Sequence, residues 1–294
     1  MTSQPAAVAF PAATVMAFRA SPAGAGTPEV FLVRRHIRMG FFGGAYVFPG
    51  GRLDPADRDP DVGAWCSGAD EARRGMADLD ALEATAYRLA AIREMFEETG
   101  ILLARDARGR WAYTSPEGEG GLDRSRQAVH SGALLLREVL QLRGLCPALE
   151  ALIPIAHWVT PEVEPKRFDT RFFLASVEGA SGALHDETEH VESAWMTAVD
   201  ALARFDRREI VLAPPTWRLL KDFESCASWA DVERHTRALV IRRVQPRFLQ
   251  EDGEDLLVLP GDPLYPAPPD ERLTPPTRFR CEPDRWQPVS LLDP

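Results

Sequence analysis

Apolar residues in this chain fall mostly into short runs separated by polar stretches rich in glycine and proline. Val15–Phe18 and Val30–Val33 are two such runs, joined by RASPAGAGTPE, and they predict a β-hairpin with a long loop. MGFFGGAYVFPGG (residues 39–51) predicts a strand over Tyr46–Phe48 followed by a tight turn at Pro49-Gly50-Gly51. Residues 54–78 are polar and weakly periodic, as an inserted loop would be. A helical period then takes over. Leu82, Ala86, Leu89, Ile92 and Phe96 recur at helical spacing and predict a buried stripe. Asp80 and Glu83 have capping-box spacing at its start, and Gly100 is a natural stop.

Further on, residues 104–132 read as polar loop, and a short helix is expected at Leu134–Leu142. Residues 152–160, 171–177 and 190–196 read as strands, and 216–226 and 229–240 as helices. Residues 246–262 predict a hairpin turning at Asp252-Gly253, and the proline-rich last thirty or so residues are expected to wrap over the surface. Mixed strands and helices, with the helix after residue 80 packed on the sheet, give an α/β sandwich.

One stretch conflicts with helix physics. In REMFEETG (93–100), Glu94, Glu97 and Glu98 share one face. They form like-charge pairs at i,i+3 and i,i+4, each costing about 0.2–0.5 kcal/mol. They also crowd the helix end where the dipole prefers cations, and Arg93 offsets this only in part. A hard divalent cation such as Mg²⁺, which binds carboxylate oxygens, resolves the conflict. Ala90 and Ala91, one turn back, are small enough to admit the Gly50-Gly51 turn, whose backbone carbonyl would be a further ligand.

The chain has 294 residues, 45% of them hydrophobic, enough for one large domain. A net charge of −10 disfavours a nucleic-acid partner and requires local cations or a metal for an anionic substrate. No apolar run reaches the ~20 residues of a membrane span. The termini carry neither a basic signal region nor a recognisable address, so a cytoplasmic location is expected. Cys66, Cys146, Cys226 and Cys281 are far apart, which argues against a thiolate zinc site and for free thiols.

REMFEETGI (93–101) resembles the second half of the Nudix hydrolase signature at every fixed position: Arg93, Glu94, Met95, Glu97, Glu98, Gly100 and Ile101. Gly51 would supply the glycine that opens the signature, 42 positions before Arg93 in place of the usual 14, so the box resembles one with a 28-residue insertion. For the upstream acid, Asp57 has the right distance from Gly51, while Glu83 lies on the helix. The enlarged box, with GAYVFPGG (44–51), HWVTP (157–161), RFDTRFFLA (167–175), EIVLAPPTW (209–217) and LPGDPLY (259–265), resembles the branch that includes peroxisomal coenzyme A diphosphatases.

The resemblance implies a Nudix-type α/β/α sandwich with a mixed sheet. The Nudix domain would span 10–245, with the insertion near 54–79, and a C-terminal extension, 246–294, would pack on it. It implies metal-dependent cleavage of a nucleoside-linked diphosphate, with coenzyme A or acyl-coenzyme A as the expected small-molecule substrate. Glu94, Glu97, Glu98 and the Gly51 carbonyl would hold Mg²⁺ or Mn²⁺. Arg93 would orient a carboxylate, and Glu94 is one candidate base. Glu189, chosen over Glu187 and Glu192 by its spacing to Trp195, would be an extra ligand or the base. A zinc pair at His185 and His190 is the weaker use of that stretch. Arg34, Arg35 and Arg167 are candidates for the substrate phosphates. Phe41, Phe42 and Trp158 would stack on adenine, line a pantetheine channel or sit in the core. NADH, ADP-ribose or another nucleotide is an alternative substrate, and a nucleotide-binding regulatory domain without catalysis is an alternative of another class. The insertion and the extension would cap the site or form a homodimer interface.

Overall fold

The computed structural model describes residues 7–21, 26–37, 42–66, 72–112, 118–178, 190–266 and 274–289. The first half holds β1 (Ala9–Ala20), β2 (Pro28–Arg35), β3 (Tyr46–Val47), β4 (Gly50–Arg52), α1 (Ala81–Thr99), β5 (Ala104–Arg105), α2 (Gly118–His130), α3 (Leu136–Arg143) and β6 (Cys146–Pro147). The second half holds β7 (Ile153–Val159), β8 (Arg167–Ser176), β9 (His190–Thr197), α4 (Ala198–Asp206), α5 (Pro214–Phe223), α6 (Trp229–Ala238), β10 (Arg243–Val244), β11 (Arg247–Glu251), β12 (Glu254–Val258), β13 (Arg278–Cys281) and β14 (Trp286–Val289).

The main sheet is mixed and runs β10-β7-β8-β1-β2-β3, with β4 also on β1 and β9 on β2. β1 and β2 are the predicted hairpin, with Phe18 opposite Val30. β8 lies parallel to β1 along one edge from Ala9 to Phe18, so β2 and β4 must share the other edge. The hairpin is therefore a fork. β2 holds β1 near the turn, and the segment carrying β3 and β4 fills the gap where the two strands part. This corrects the expected free turn at Pro49-Gly50-Gly51, because Gly50 and Gly51 are themselves strand residues paired with Thr14 and Ala13.

Alternation along the strands supplies two cores, one on each face. Ala13, Val15, Ala17, Phe173 and Ala175 face α1, where Ala86, Leu89, Ile92 and Phe96 are buried, with α2 and α3 beside it. Met16, Phe18, Phe172 and Leu174 face the other way, onto Phe205 of α4, Leu220 and Phe223 of α5, and Val232 of α6. The layers are thus α/β/α. Leu82 departs from its predicted burial: it is 40% exposed, since the first turn of α1 projects beyond the core. Asp80 caps α1 through the Glu83 amide, but the Glu83 carboxylate pairs with Arg58 rather than completing a capping box. Gly100 ends the helix in the left-handed conformation.

The expected insertion loop is packed structure. Val62, Cys66, Ala72 and Met76 join the α1-side core. Buried Arg88 of α1 donates to the carbonyls of Ala72, Arg74, Leu149 and Leu152, and burial lowers its pKa to about 10. Arg171 on β8 pairs with Asp78, and Arg137 on α3 with Asp59. Within the expected polar loop at 104–132 lies the helix α2, whose apolar contribution is only Leu122 and Val129. The chain end is also more regular than expected. β11 and β12 turn at Asp252-Gly253, both at positive φ, and β13 and β14 extend them to a four-stranded sheet. That sheet buries Leu257 and Phe279 in the α5-side core, with Phe279 edge-on to Trp217 at 5.5 Å.

Candidate active site

α1 delivers the site's charged residues as helix geometry requires. Arg93 stands at the centre. Its Nη1 donates to Glu94 at 2.7 Å and Glu97 at 3.2 Å. Its Nε and Nη2 reach Asp57 at 3.2 and 2.9 Å, and Nη2 also reaches the Arg52 carbonyl. Asp57 is buried on a single turn of 3₁₀ helix, Pro55–Asp57. It stands six residues after Gly51, at the spacing expected of the upstream acid, and Glu83 is committed to Arg58. The bidentate arrangement is the strong form of an arginine–carboxylate contact.

Glu98 is buried and accepts a hydrogen bond from the Gly50 amide at 2.9 Å. Glu94 lies so close to Gly51 that a Cβ there would sit 2.5 Å from its carboxylate. A Cβ on Gly50 would meet the Ala13 carbonyl oxygen of β1 at 2.4 Å. The two glycines therefore act as a window in the sheet. Burial pushes the Glu94 carboxyl up to about 7, with neighbouring Glu97 adding to the rise and Arg93 opposing it. Arg93 itself is held firmly protonated: burial lowers its pKa, but Asp57, Glu94 and Glu97 more than compensate.

The window opens on a cavity of about 390 Å³ across the sheet from α1. Its floor is made of Ala12, Thr14, Phe168, Thr170 and Phe172, the outward residues of β1 and β8. Glu94, Gly50, Gly51 and Arg52 line it as well. One helix thus presents a carboxylate to a cavity on the opposite face of the sheet, because two residues between them lack side chains.

Two further side chains escape a reading of the sequence. Arg126 of α2 donates to the carbonyls of Glu97 and Glu98 at 2.8 and 2.9 Å, satisfying the end of α1 that the dipole makes negative. His130 Nδ1 lies 3.7 Å from Glu97. Both come from the segment expected to be loop, which hid them.

The other candidates separate. Arg35 lines the cavity, and its buried Nε has no hydrogen-bond partner among the described residues. Arg34 instead meets Glu192 at 3.5 Å and the Gly44 carbonyl. Glu192 also receives the Tyr46 hydroxyl, whose pKa burial and this carboxylate push up to about 12. Arg167 is corrected: it is buried and donates to the backbone carbonyls of Thr160 and Ala7, so its guanidinium is occupied by the fold rather than free for phosphate. Phe42 and Trp158 line the cavity. Phe41, His185, Glu187 and Glu189 lie outside the described residues, as does the side chain of His190.

Among the described residues no three acid, imidazole or thiol side chains are already gathered as a metal cage, since Arg93 draws Glu94 and Glu97, and the Gly50 amide takes Glu98. The donor set still fits a hard divalent ion: carboxylate oxygens on consecutive turns beside a backbone cleared of Cβ atoms.

Comparison with known proteins meets the same segment. A sequence model of the NUDT19 Nudix domain matches residues 70–221. The chain belongs to this family of Nudix hydrolases. It is 30% identical over 276 residues to the Homo sapiens acyl-coenzyme A diphosphatase NUDT19, covering 81% of this chain and 72% of that protein. The Gallus gallus protein of the same name is 29% identical over 287 residues, covering 85% of this chain and 76% of its own length. A crystal structure of a NUDIX hydrolase from Alicyclobacillus acidocaldarius superposes with a TM-score of 0.60 at 30% identity, covering 80% of this chain and 98% of that one. The fold is thus the Nudix α/β fold, and this Nudix pyrophosphohydrolase belongs to a superfamily whose members generally use divalent metals. None of the described helices is long and apolar enough to cross a membrane.

Proposed function

We propose that this protein hydrolyses the diphosphate of coenzyme A or acyl-coenzyme A, releasing 3′,5′-ADP and 4′-phosphopantetheine or its acylated form. The observation that carries the reading is the glycine window. It brings a mostly buried carboxylate of the Nudix helix to a cavity lined by both apolar side chains and the charged Arg35, Arg52, Glu164 and Lys166. The similar proteins named acyl-coenzyme A diphosphatase support the choice of substrate.

In this reading Glu94, Glu97 and Glu98, with the Gly51 carbonyl, hold Mg²⁺ or Mn²⁺. The ion supplies Lewis acidity and a more acidic water. Arg93 is a positioning residue, fixing Glu94 and Glu97 against Asp57. Glu94 or Glu189 takes a proton from the attacking water. Arg35, which lines the cavity, meets a phosphate oxygen, while Arg34 would reach the substrate only from beyond its contact with Glu192. The domain division at about residue 245, with the C-terminal sheet closing the main domain, belongs to the same reading. So does a cytosolic setting, which suits four free cysteines. A homodimer built through the insertion or the extension is the assembly it allows.

The test is product analysis by mass spectrometry after incubation with Mg²⁺ or Mn²⁺ and equal amounts of coenzyme A, an acyl-coenzyme A, NADH and ADP-ribose. Preferential release of 3′,5′-ADP is the expected result. AMP from NADH or ADP-ribose would overturn the substrate, and no product from any of them would favour a binding-only role.

A further inference from the structure

Besides the charged Arg35, Glu164 and Lys166, the lining of the cavity behind the glycine window includes two unlike groups of residues. One carries Glu94, Gly51 and Arg52, the region of diphosphate chemistry. The other is made by Trp158 and Phe172 of β7 and β8, Pro214 and Pro215 at the start of α5, Leu257 of β12 and Trp286 of β14. None of these six side chains carries a charge, and Trp158, Phe172, Pro214 and Leu257 are buried. A diphosphate gains nothing from such a wall, because leaving water for apolar surface penalises charge.

The start of α5 strengthens the point. A helix N-terminus ordinarily offers free N–H groups to anions. Here prolines occupy the first two helical positions and remove two of those donors, and Ala213 makes no side-chain cap. The helix end is therefore an apolar surface rather than an anion site. Two of the six residues, Leu257 and Trp286, belong to the C-terminal sheet, so the extension completes the wall.

We propose that this wall receives the acyl chain of a coenzyme A thioester, and that Leu257 and Trp286 set how long a chain is accepted. The inference rests on the coenzyme A reading above. It goes further in giving the C-terminal extension a role in substrate selection. Contact with hydrocarbon is worth about fourfold in affinity for each methylene fully buried. The effect belongs in KM rather than kcat, since the chain is remote from the bond being cut.

The experiment measures kcat and KM for free coenzyme A and for its butanoyl, octanoyl and hexadecanoyl esters, with the full chain and with L257W, W286A and W286F. For wild type, kcat/KM should rise from coenzyme A to at least the octanoyl ester. L257W fills the wall and should lower the octanoyl-to-coenzyme A ratio by tenfold or more, through KM. W286A should lower the same ratio about threefold or more, and W286F should largely restore it. Because Leu257 is buried and its tryptophan variant can disturb folding, Trp286, on the half-buried side, keeps the test decisive. Wild type that cleaves coenzyme A but is indifferent to chain length would overturn the inference and leave the substrate reading standing. So would variants that change every substrate equally. Absence of cleavage of any coenzyme A compound would overturn both.

Discussion

On one face of the sheet, Arg93, Glu94, Glu97 and Glu98 lie within six consecutive residues of one helix. On the other, Ala12, Trp158, Phe172, Pro214, Leu257 and Trp286 meet from positions spread over most of the chain. The two halves of the site obey different physics. In the first, helix periodicity alone places the carboxylates together. In the second, nothing local links the residues, and only the stacking of sheet, α5 and C-terminal strands makes a cavity. Gly50 and Gly51 join the halves by being absent as side chains.

The sharpest way to break this comparison is to remove charge from the helix while leaving the cavity alone. Glu97→Gln should cost about 4 kcal/mol of transition-state stabilisation, a loss of about a thousandfold in kcat. Thermal stability should stay close to wild type, because among the described residues the Glu97 carboxylate meets Arg93 and His130, both side chains. Unchanged turnover would show that the carboxylate helix is not the reacting centre.

Closing the window comes next. Gly51→Ala puts a methyl where the Glu94 carboxylate now lies. A loss of about a hundredfold in kcat/KM is expected for free and acylated coenzyme A alike, from displacement near the chemistry. If the loss fell on the acyl esters alone, Gly51 would belong with the apolar wall and the division between the halves would fail.

Asp57 sharpens the first half alone. Asp57→Asn should leave Arg93 with a weaker partner and cost about tenfold to a hundredfold in activity, as loss of a group that orients a metal ligand does. Partial recovery with Asp57→Glu would separate positioning from mere structural damage. A stability loss without an activity loss would assign Asp57 to the fold.

The local half was legible in the sequence, because its signal was a breach of helix rules at known spacing. Even so, the breach was read too strongly: Arg126, on a helix too polar to announce itself, already satisfies the negative end of α1 in part. Asp57 was legible by distance from Gly51, but its buried pairing with Arg93 became visible only across the 35 residues between them. Arg167 was a candidate because a guanidinium fork suits phosphate, and nothing in the sequence signals the backbone carbonyls to which it donates. The apolar wall was legible only in pieces, since Pro214-Pro215 and Leu257 look like ordinary core until the tertiary fold brings them to one space.

The smallest expected effect concerns how the insertion is fastened behind the local half. Asp78, at the end of the insertion, pairs with Arg171 of β8, and that hydrogen bond holds its carboxyl below the ordinary value of 3.8 despite some opposing burial. A carboxyl with a lower pKa in the folded state stabilises the fold above its unfolded pKa, and the contribution disappears as pH falls through the folded value. Between neutral pH and about 4 the contact should therefore be constant, and it should weaken only in stronger acid. Asp78→Asn removes this titration. Its acid-unfolding curve, followed by tryptophan fluorescence, should be slightly shallower than that of wild type, with hydrogen exchange near Met76 slightly faster at neutral pH. Identical curves would mean that the Asp78–Arg171 pair adds nothing to the other ties of the insertion, those of Asp57, Arg58, Asp59 and Arg88 and its apolar contacts. The helix carrying the carboxylates would then be clasped to the insertion through Asp57 and Arg58, with Asp78 contributing nothing.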